Sequence, residues 1–177
     1  FKPGVSSALQ KFSQNYEDMG EYDKALDYAN RAFKIAEKLG DNSRIILCLD
    51  SIGIIYYKMG NYKKTAEYLE KSLSIYDKTK EGINFLLLNK TYLYLAYKKL
   101  GKAYDKKKLQ ILIKEERKIV SPELNFGYFQ LLEDTTYLET AYNQVKENAE
   151  NLEPDVAAKY LSYPIPKAIV EEWKKVK

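Results

Sequence analysis

The sequence predicts an all-α protein built as a stack of antiparallel helix pairs. Two observations predict this fold class: a block of residues returns after 40 and again after 41 residues, and the apolar side chains between copies recur three and four residues apart, which is helical spacing. The five prolines and eight glycines stand mainly between these apolar runs, where helices begin and end. A chain of 177 residues that is 45% hydrophobic is also long enough to bury a core.

The repeated block contains a tyrosine, a glycine four residues later and a second tyrosine shortly after the glycine. A glycine just past the last turn of a helix adopts the left-handed conformation without a side-chain clash, so each glycine is expected to end the first helix of a pair. The three copies are Tyr16-Gly20-Tyr22, Tyr56-Gly60-Tyr62 and Tyr97-Gly101-Tyr104, the last with one extra residue after its glycine.

The block places three helix pairs in chain order. In the second pair, Asp41-Asn42-Ser43 offers an N-cap. One apolar stripe follows, formed by Ile45, Leu49, Ile52, Tyr56 and Met59. The predicted pairs are 5–19 with 22–39, 43–59 with 62–79, and 83–100 with 103–119.

The remaining chain predicts a degenerate fourth pair over 122–150. Ser121-Pro122-Glu123 is a strong helix start, because serine caps, proline fits the first turn and glutamate favours the helix N-terminus. Thr135 stands where the turn glycine would be.

Two capping helices are predicted to follow, over 151–177. They start at Pro154, break at 163–166 and end at Val176, and Ile165, Ile169, Trp173 and Val176 share one face of the last helix. The predicted domains are therefore repeats over 1–150 and a cap over 151–177.

These residues resemble the tetratricopeptide repeat family, in a variant with repeats of about 40 residues. The family's two-helix unit has a small residue in the middle of its first helix (helix A), a tyrosine three residues later, a glycine-x-tyrosine turn, and small residues along its second helix (helix B). The first copy departs from this pattern with Ser13 at the small position. The second copy matches best, with Gly53, Tyr56, Gly60, Tyr62, Thr65, Leu69 and Ser72. The resemblance implies a right-handed α-α superhelix that binds a protein or peptide in a concave groove.

In the family the groove is lined by fixed positions of helix A. Carried over, they give Gln10, Gln14, Glu17 and Asp18 in the first copy, Leu47, Asp50, Ile54, Tyr57 and Lys58 in the second, and Leu88, Thr91, Leu95, Lys98 and Lys99 in the third. This groove would be acidic at one end, apolar in the middle and basic at the other, which suits a partner of opposite polarity. At each position the alternative is a side chain that faces a flanking helix.

One subtype of the family grips a terminal carboxylate through lysine, asparagine and arginine at helix A positions. Those positions here hold Gln10, Gln14, Ser51, Leu88 and Tyr92. The resemblance therefore does not extend to that carboxylate clamp.

Catalytic chemistry is not expected. The chain has no histidine, which removes the commonest general base and the commonest transition-metal ligand. Its single cysteine, Cys48, lies in an apolar helix A and is interpreted as a buried structural thiol that forms no internal disulfide. No glycine-rich phosphate loop is present. We expect no enzyme activity, no cofactor and no metal.

The charge pattern also limits the partners. The formal net charge is only +4, with three arginines in the chain. The lysine run over 98–118 contains one aromatic residue, Tyr104, and so lacks the aromatic platform of single-strand binders. No nucleic acid is therefore expected. Most tyrosines fall on packing positions of the repeat. No apolar run approaches the roughly 20 residues that span a bilayer, so we expect no membrane partner and a cytoplasmic location.

The leading hypothesis is a protein–protein interaction module that acts as a scaffold. The alternative is a regulatory or dimerisation segment of a larger multidomain signalling protein, acting as a homodimer or against another domain of the parent chain. The sequence starts at Phe1 without a methionine, so we expect it to be a piece of a longer chain or a processed product.

Overall fold

The computed structural model describes residues 3–79, 86–115 and 120–177, and every regular element in these ranges is an α-helix. The chain forms two compact units, 1–105 and 106–177. The first contains α1 (Pro3–Asp18), α2 (Tyr22–Leu39), α3 (Asn42–Lys58), α4 (Tyr62–Thr79) and α5 (Leu86–Lys99). The second contains α6 (Lys106–Glu115), α7 (Pro122–Leu132), α8 (Thr135–Glu150), α9 (Pro154–Ser162) and α10 (Pro164–Val176).

In the first unit each helix packs against the next, from α1 through α5, and α3 also contacts α1 and α5. The predicted glycine turns are confirmed. The backbone φ angles of Gly20, Gly60 and Gly101 are 80°, 79° and 67°, which lie in the left-handed region that favours glycine. Asp41 caps α3 as predicted, because its side chain accepts a hydrogen bond from the Arg44 backbone N–H at 3.0 Å. The predicted all-α repeat architecture is therefore confirmed.

Small residues set the close approach within each pair. Ala25, Ala29 and Ala32 of α2 are all buried. At Gly53, a Cβ atom would lie only 2.7 Å from Leu69 Cδ2 on α4. Ser13, the departure from the repeat pattern, is also buried and donates its hydroxyl to the Ala25 carbonyl at 2.9 Å. The serine therefore fits the small position because its hydroxyl is satisfied.

In the part of the chain that the structure describes, tyrosines of the repeat pack against one another and do not form an open platform on which nucleic-acid bases could stack. The Tyr16 and Tyr28 rings lie 5.5 Å apart, and the equivalent Tyr56 and Tyr68 rings also lie 5.5 Å apart. In the second repeat, Lys64 Nζ lies 4.7 Å from the Tyr56 ring centroid, a cation–π distance. The contact between the two tyrosine rings therefore recurs from the first repeat to the second.

The third predicted pair needs adjustment at its second helix. That helix starts at Lys106 rather than 103, since residues 102–105 between Gly101 and α6 are not helical. The predicted ends at 83–85 and 116–119 lie outside the described residues.

In the second unit, α7 and α8 form the fourth pair at the predicted place. Ser121 caps α7 by accepting from the Leu124 N–H at 3.3 Å. Thr135 was predicted at the place of the turn glycine, but it is the first residue of α8, and the left-handed turn residue is Glu133 with φ 63°. The reversal therefore occurs two residues earlier and without a glycine.

The last helix packs on this pair. Ile169 of α10 is fully buried in a cluster with Leu138, Ala141 and Val145, and the Trp173 ring stacks on Tyr142 at 5.2 Å. This contact is the one expected of a capping helix. The division into domains 1–150 and 151–177 stays a prediction. Within the described ranges, no helix is both long and apolar enough to cross a membrane.

Candidate protein-binding surface

The predicted binding residues lie on α1, α3 and α5, the A helices of the first unit. These helices are neighbours, because α3 contacts both α1 and α5. We call the side of the first unit formed by these three helices the A-helix surface. The structure thus brings the predicted residues of the three copies onto adjacent helices, although their role in binding stays a prediction.

Glu17 and Lys58 form an ion pair that links α1 to α3. Lys58 Nζ lies 2.6 Å from Glu17 Oε1, and each side chain is only 5% exposed. Removing one partner of a buried pair leaves an uncompensated charge, which is strongly destabilising. This pair therefore joins the first two repeats, and the two charges neutralise each other within the chain.

The predicted set divides by exposure. Besides the Glu17–Lys58 pair, four members are buried in their own chain: Asp50, Ile54, Thr91 and Leu95. Thr91, for example, is fully buried and donates its hydroxyl to the Leu87 carbonyl of the same helix at 2.7 Å. The half-buried or exposed members are Gln10, Gln14, Asp18, Leu47, Tyr57, Leu88, Lys98 and Lys99.

An aromatic group lies at the C-terminal end of α3, the central one of the three A helices. The half-buried Tyr57 ring lies 5.4 Å from the Tyr62 ring and makes an edge contact with Tyr92 at 5.2 Å. Burial, reinforced by Tyr62, raises the pKa of Tyr57 to about 12, so its phenol stays neutral at physiological pH. Aromatic side chains held in this way are preferred anchors in protein interfaces.

Two polar contacts, the first part-buried and the second buried, repeat along the A helices. Gln10 Nε2 donates to Cys48 Sγ at 3.2 Å, and Asn89 Nδ2 donates to Asp50 Oδ1 at 2.6 Å. Gln10 and Asp50 are 40 residues apart and Cys48 and Asn89 are 41 apart, so the two contacts occupy equivalent places. Sequence reasoning missed Asn89. Two features of the sequence could have indicated a buried polar contact at Asn89. It is a single amide directly after the run Leu86-Leu87-Leu88, and it occupies the position of the third repeat that is equivalent to Cys48.

Burial also changes the acidity of two groups on α3. Desolvation raises the pKa of Cys48 to about 12, against the opposing effect of the Gln10 hydrogen bond. Cys48 is 1% exposed, as expected for a structural thiol. Desolvation likewise raises the pKa of Asp50 to about 7, and the neighbouring Ser72 hydroxyl and Asn89 amide oppose that shift only in part.

The comparison with known families agrees with this architecture. Residues 4–78, which span α1 to α4 up to its last turn, match the tetratricopeptide repeat family. No curated protein matches the chain. The family points to a protein–protein interaction module with protein partners. The part of the chain formed by α1 to α4 is therefore similar to tetratricopeptide repeats.

Proposed function

We propose that the A-helix surface is a groove that binds an extended segment of another protein. The observation that supports this most is the set of accessible side chains along α3 and α5: Leu47, Tyr57 and Leu88 are half-buried, and Lys98 and Lys99 are exposed. Covering half-exposed apolar side chains removes their surface from water, which favours formation of a complex. Apolar and aromatic centres with a charged edge are typical of peptide grooves.

The charges specify the kind of partner. Lys98 and Lys99 lie together in the last turn of α5, where they attract carboxylates. At the other end, Glu17 is already paired with Lys58, which leaves Asp18 as the exposed acidic residue among the predicted set. We therefore expect a segment with an apolar or aromatic anchor next to acidic residues. We propose binding without catalysis, since the chain has no histidine and its cysteine is buried.

The proposal is tested by selecting ligands from a displayed random peptide library and measuring their Kd by fluorescence anisotropy. The variant Lys98→Glu/Lys99→Glu should weaken binding of the selected acidic peptides about tenfold or more, because like charges then oppose each other. The matched control is Lys34→Glu/Lys63→Glu, which makes the same change of net charge on the exposed faces of α2 and α4. The control should keep Kd within about twofold.

A second pair of variants tests the apolar centre. Leu47→Glu should weaken binding, whereas Leu39→Glu on α2, where the leucine is 41% exposed, should not. Circular dichroism confirms that each variant keeps its helices. Unchanged Kd values in both groove variants, or equal losses in groove and control variants, would refute the proposed groove.

A further inference from the structure

Two buried oxygen atoms lie unsatisfied where α3, α4 and α5 meet. Asp50 and Asn89 are each 2% exposed. Asn89 Nδ2 donates both its hydrogens, one to Asp50 Oδ1 at 2.6 Å and one to the Leu69 carbonyl at 3.2 Å. Within the ranges that the structure describes, Asp50 Oδ2 and Asn89 Oδ1 accept no hydrogen bond.

Rotating the Asn89 amide would not satisfy these atoms. The rotation would place its oxygen 3.2 Å from the Leu69 carbonyl oxygen, which can only accept, so the two oxygens would repel each other. The orientation with the nitrogen toward Leu69 and Asp50 is therefore correct. Leaving a buried acceptor without a donor is costly, and no described residue donates to Asn89 Oδ1, so a small bound molecule that donates hydrogen bonds would stabilise this place.

A small cavity lies beside both residues. It is lined by Asp50 and Asn89 together with Ser72 and Tyr76 of α4, and it offers about 10 Å³ to the centre of a water-sized molecule. That space corresponds to roughly one water molecule. The Ser72 hydroxyl is 3.5 Å from the Ile46 carbonyl, the outer limit of a hydrogen bond, so it can turn toward the cavity.

We propose that this cavity binds one structural water molecule that links α3, α4 and α5. When Asp50 is ionised, the water donates one hydrogen to Asp50 Oδ2 and the other to Asn89 Oδ1, and its oxygen accepts from the Ser72 hydroxyl. When Asp50 is protonated, Oδ2–H donates to the water, which then donates to Asn89 Oδ1 and to the Ser72 oxygen. Three hydrogen bonds are the usual number for a buried water. A Mg²⁺ or Ca²⁺ ion would need six or more oxygen ligands, whereas the four polar side chains that line the cavity carry fewer than six oxygens, so the site fits water better than a cation.

The water count is measured by ¹⁷O magnetic relaxation dispersion, which detects long-lived internal waters. Asp50→Leu/Asn89→Leu replaces both acceptors with apolar side chains and should lose one such water relative to the native chain. The control, Gln10→Leu, removes the equivalent polar contact of the preceding repeat, which has no unsatisfied side-chain oxygen beside it, and should leave the number unchanged. An unchanged number in the folded double variant contradicts the proposal.

A crystal structure of the native chain decides the question even if the double variant does not fold. We expect a single density peak about 2.7–3.2 Å from both Asp50 Oδ2 and Asn89 Oδ1. An empty cavity would overturn the proposal. An anomalous peak there after soaking in rubidium or thallium salts would instead show a cation site and would also overturn the proposal.

Discussion

Adding one methyl group at Gly53 tests whether close approach of α3 and α4 holds the second repeat together. In Gly53→Ala the new Cβ lies 2.7 Å from Leu69 Cδ2 and 2.8 Å from Leu69 Cγ, where about 3.5–4.0 Å is the favourable distance between carbon atoms. Leu69 is fully buried, so it moves only by displacing its neighbours. Overpacking of this kind costs about 1–3 kcal/mol.

The opposite effect comes from helix propensity. Alanine is more favourable than glycine within a helix by about 1 kcal/mol, and Gly53 lies well inside α3. We therefore expect Gly53→Ala to lower the free energy of unfolding by about 1 kcal/mol, the difference between the overpacking cost and the propensity gain. The measurement is urea unfolding followed by circular dichroism.

A second background isolates the contact. Leu69→Ala removes both clashing atoms and itself costs about 2–5 kcal/mol. In that background Gly53→Ala should become stabilising by up to about 1 kcal/mol, because only the propensity gain remains. If Gly53→Ala has the same effect in both backgrounds, or stabilises the native chain, the reasoning about this contact is wrong.

Three further predictions use the same unfolding and labelling measurements. Gly60→Ala should lower the free energy of unfolding by about 1 kcal/mol because φ is 79° at this residue, although no atom lies within 4 Å of the added Cβ. Gly60→Asn should cost less, since asparagine tolerates the left-handed conformation better. Equal costs for the two variants would contradict the left-handed conformation of Gly60. The raised pKa of Asp50 predicts that the free energy of unfolding falls by up to about 4 kcal/mol as pH rises from about 4 to about 7, because in that window the folded carboxyl keeps a proton that the unfolded one has lost. Asp50→Asn should remove this part of the dependence of the unfolding free energy on pH. An identical pH dependence in the variant would contradict the raised pKa. Cys48 should react with a thiol reagent at neutral pH only as fast as the chain opens, and a rate independent of added urea would contradict its burial.

The helix pairs could be predicted because their signals are local. Gly20 and Gly60 each end an apolar run, and only glycine readily adopts the left-handed turn found there. The fourth pair shows the limit of that signal. Its left-handed turn residue is Glu133, and glutamate rarely adopts this conformation. The turn was therefore predicted two residues too late, at Thr135.

The detailed surface was less predictable because it depends on which residues meet across repeats. Glu17 and Lys58 are 41 residues apart, and neither sequence context shows that the two charges neutralise each other. Fixed positions of helix A do not reveal burial either: Thr91 is covered completely, whereas Leu47 and Leu88 stay half-exposed. Asn89 was missed because it ends an apolar run, where helical periodicity counts the leucines and not the amide.

The most direct test of peptide binding on the A-helix surface is methyl NMR of the native chain titrated with a selected peptide. We predict that the methyl signals of Leu47 and Leu88 shift with the peptide concentration, while those of Leu39 on α2 do not. Shifts confined to Leu39 and other residues of α2 and α4, or to the second unit, would contradict binding on the A helices.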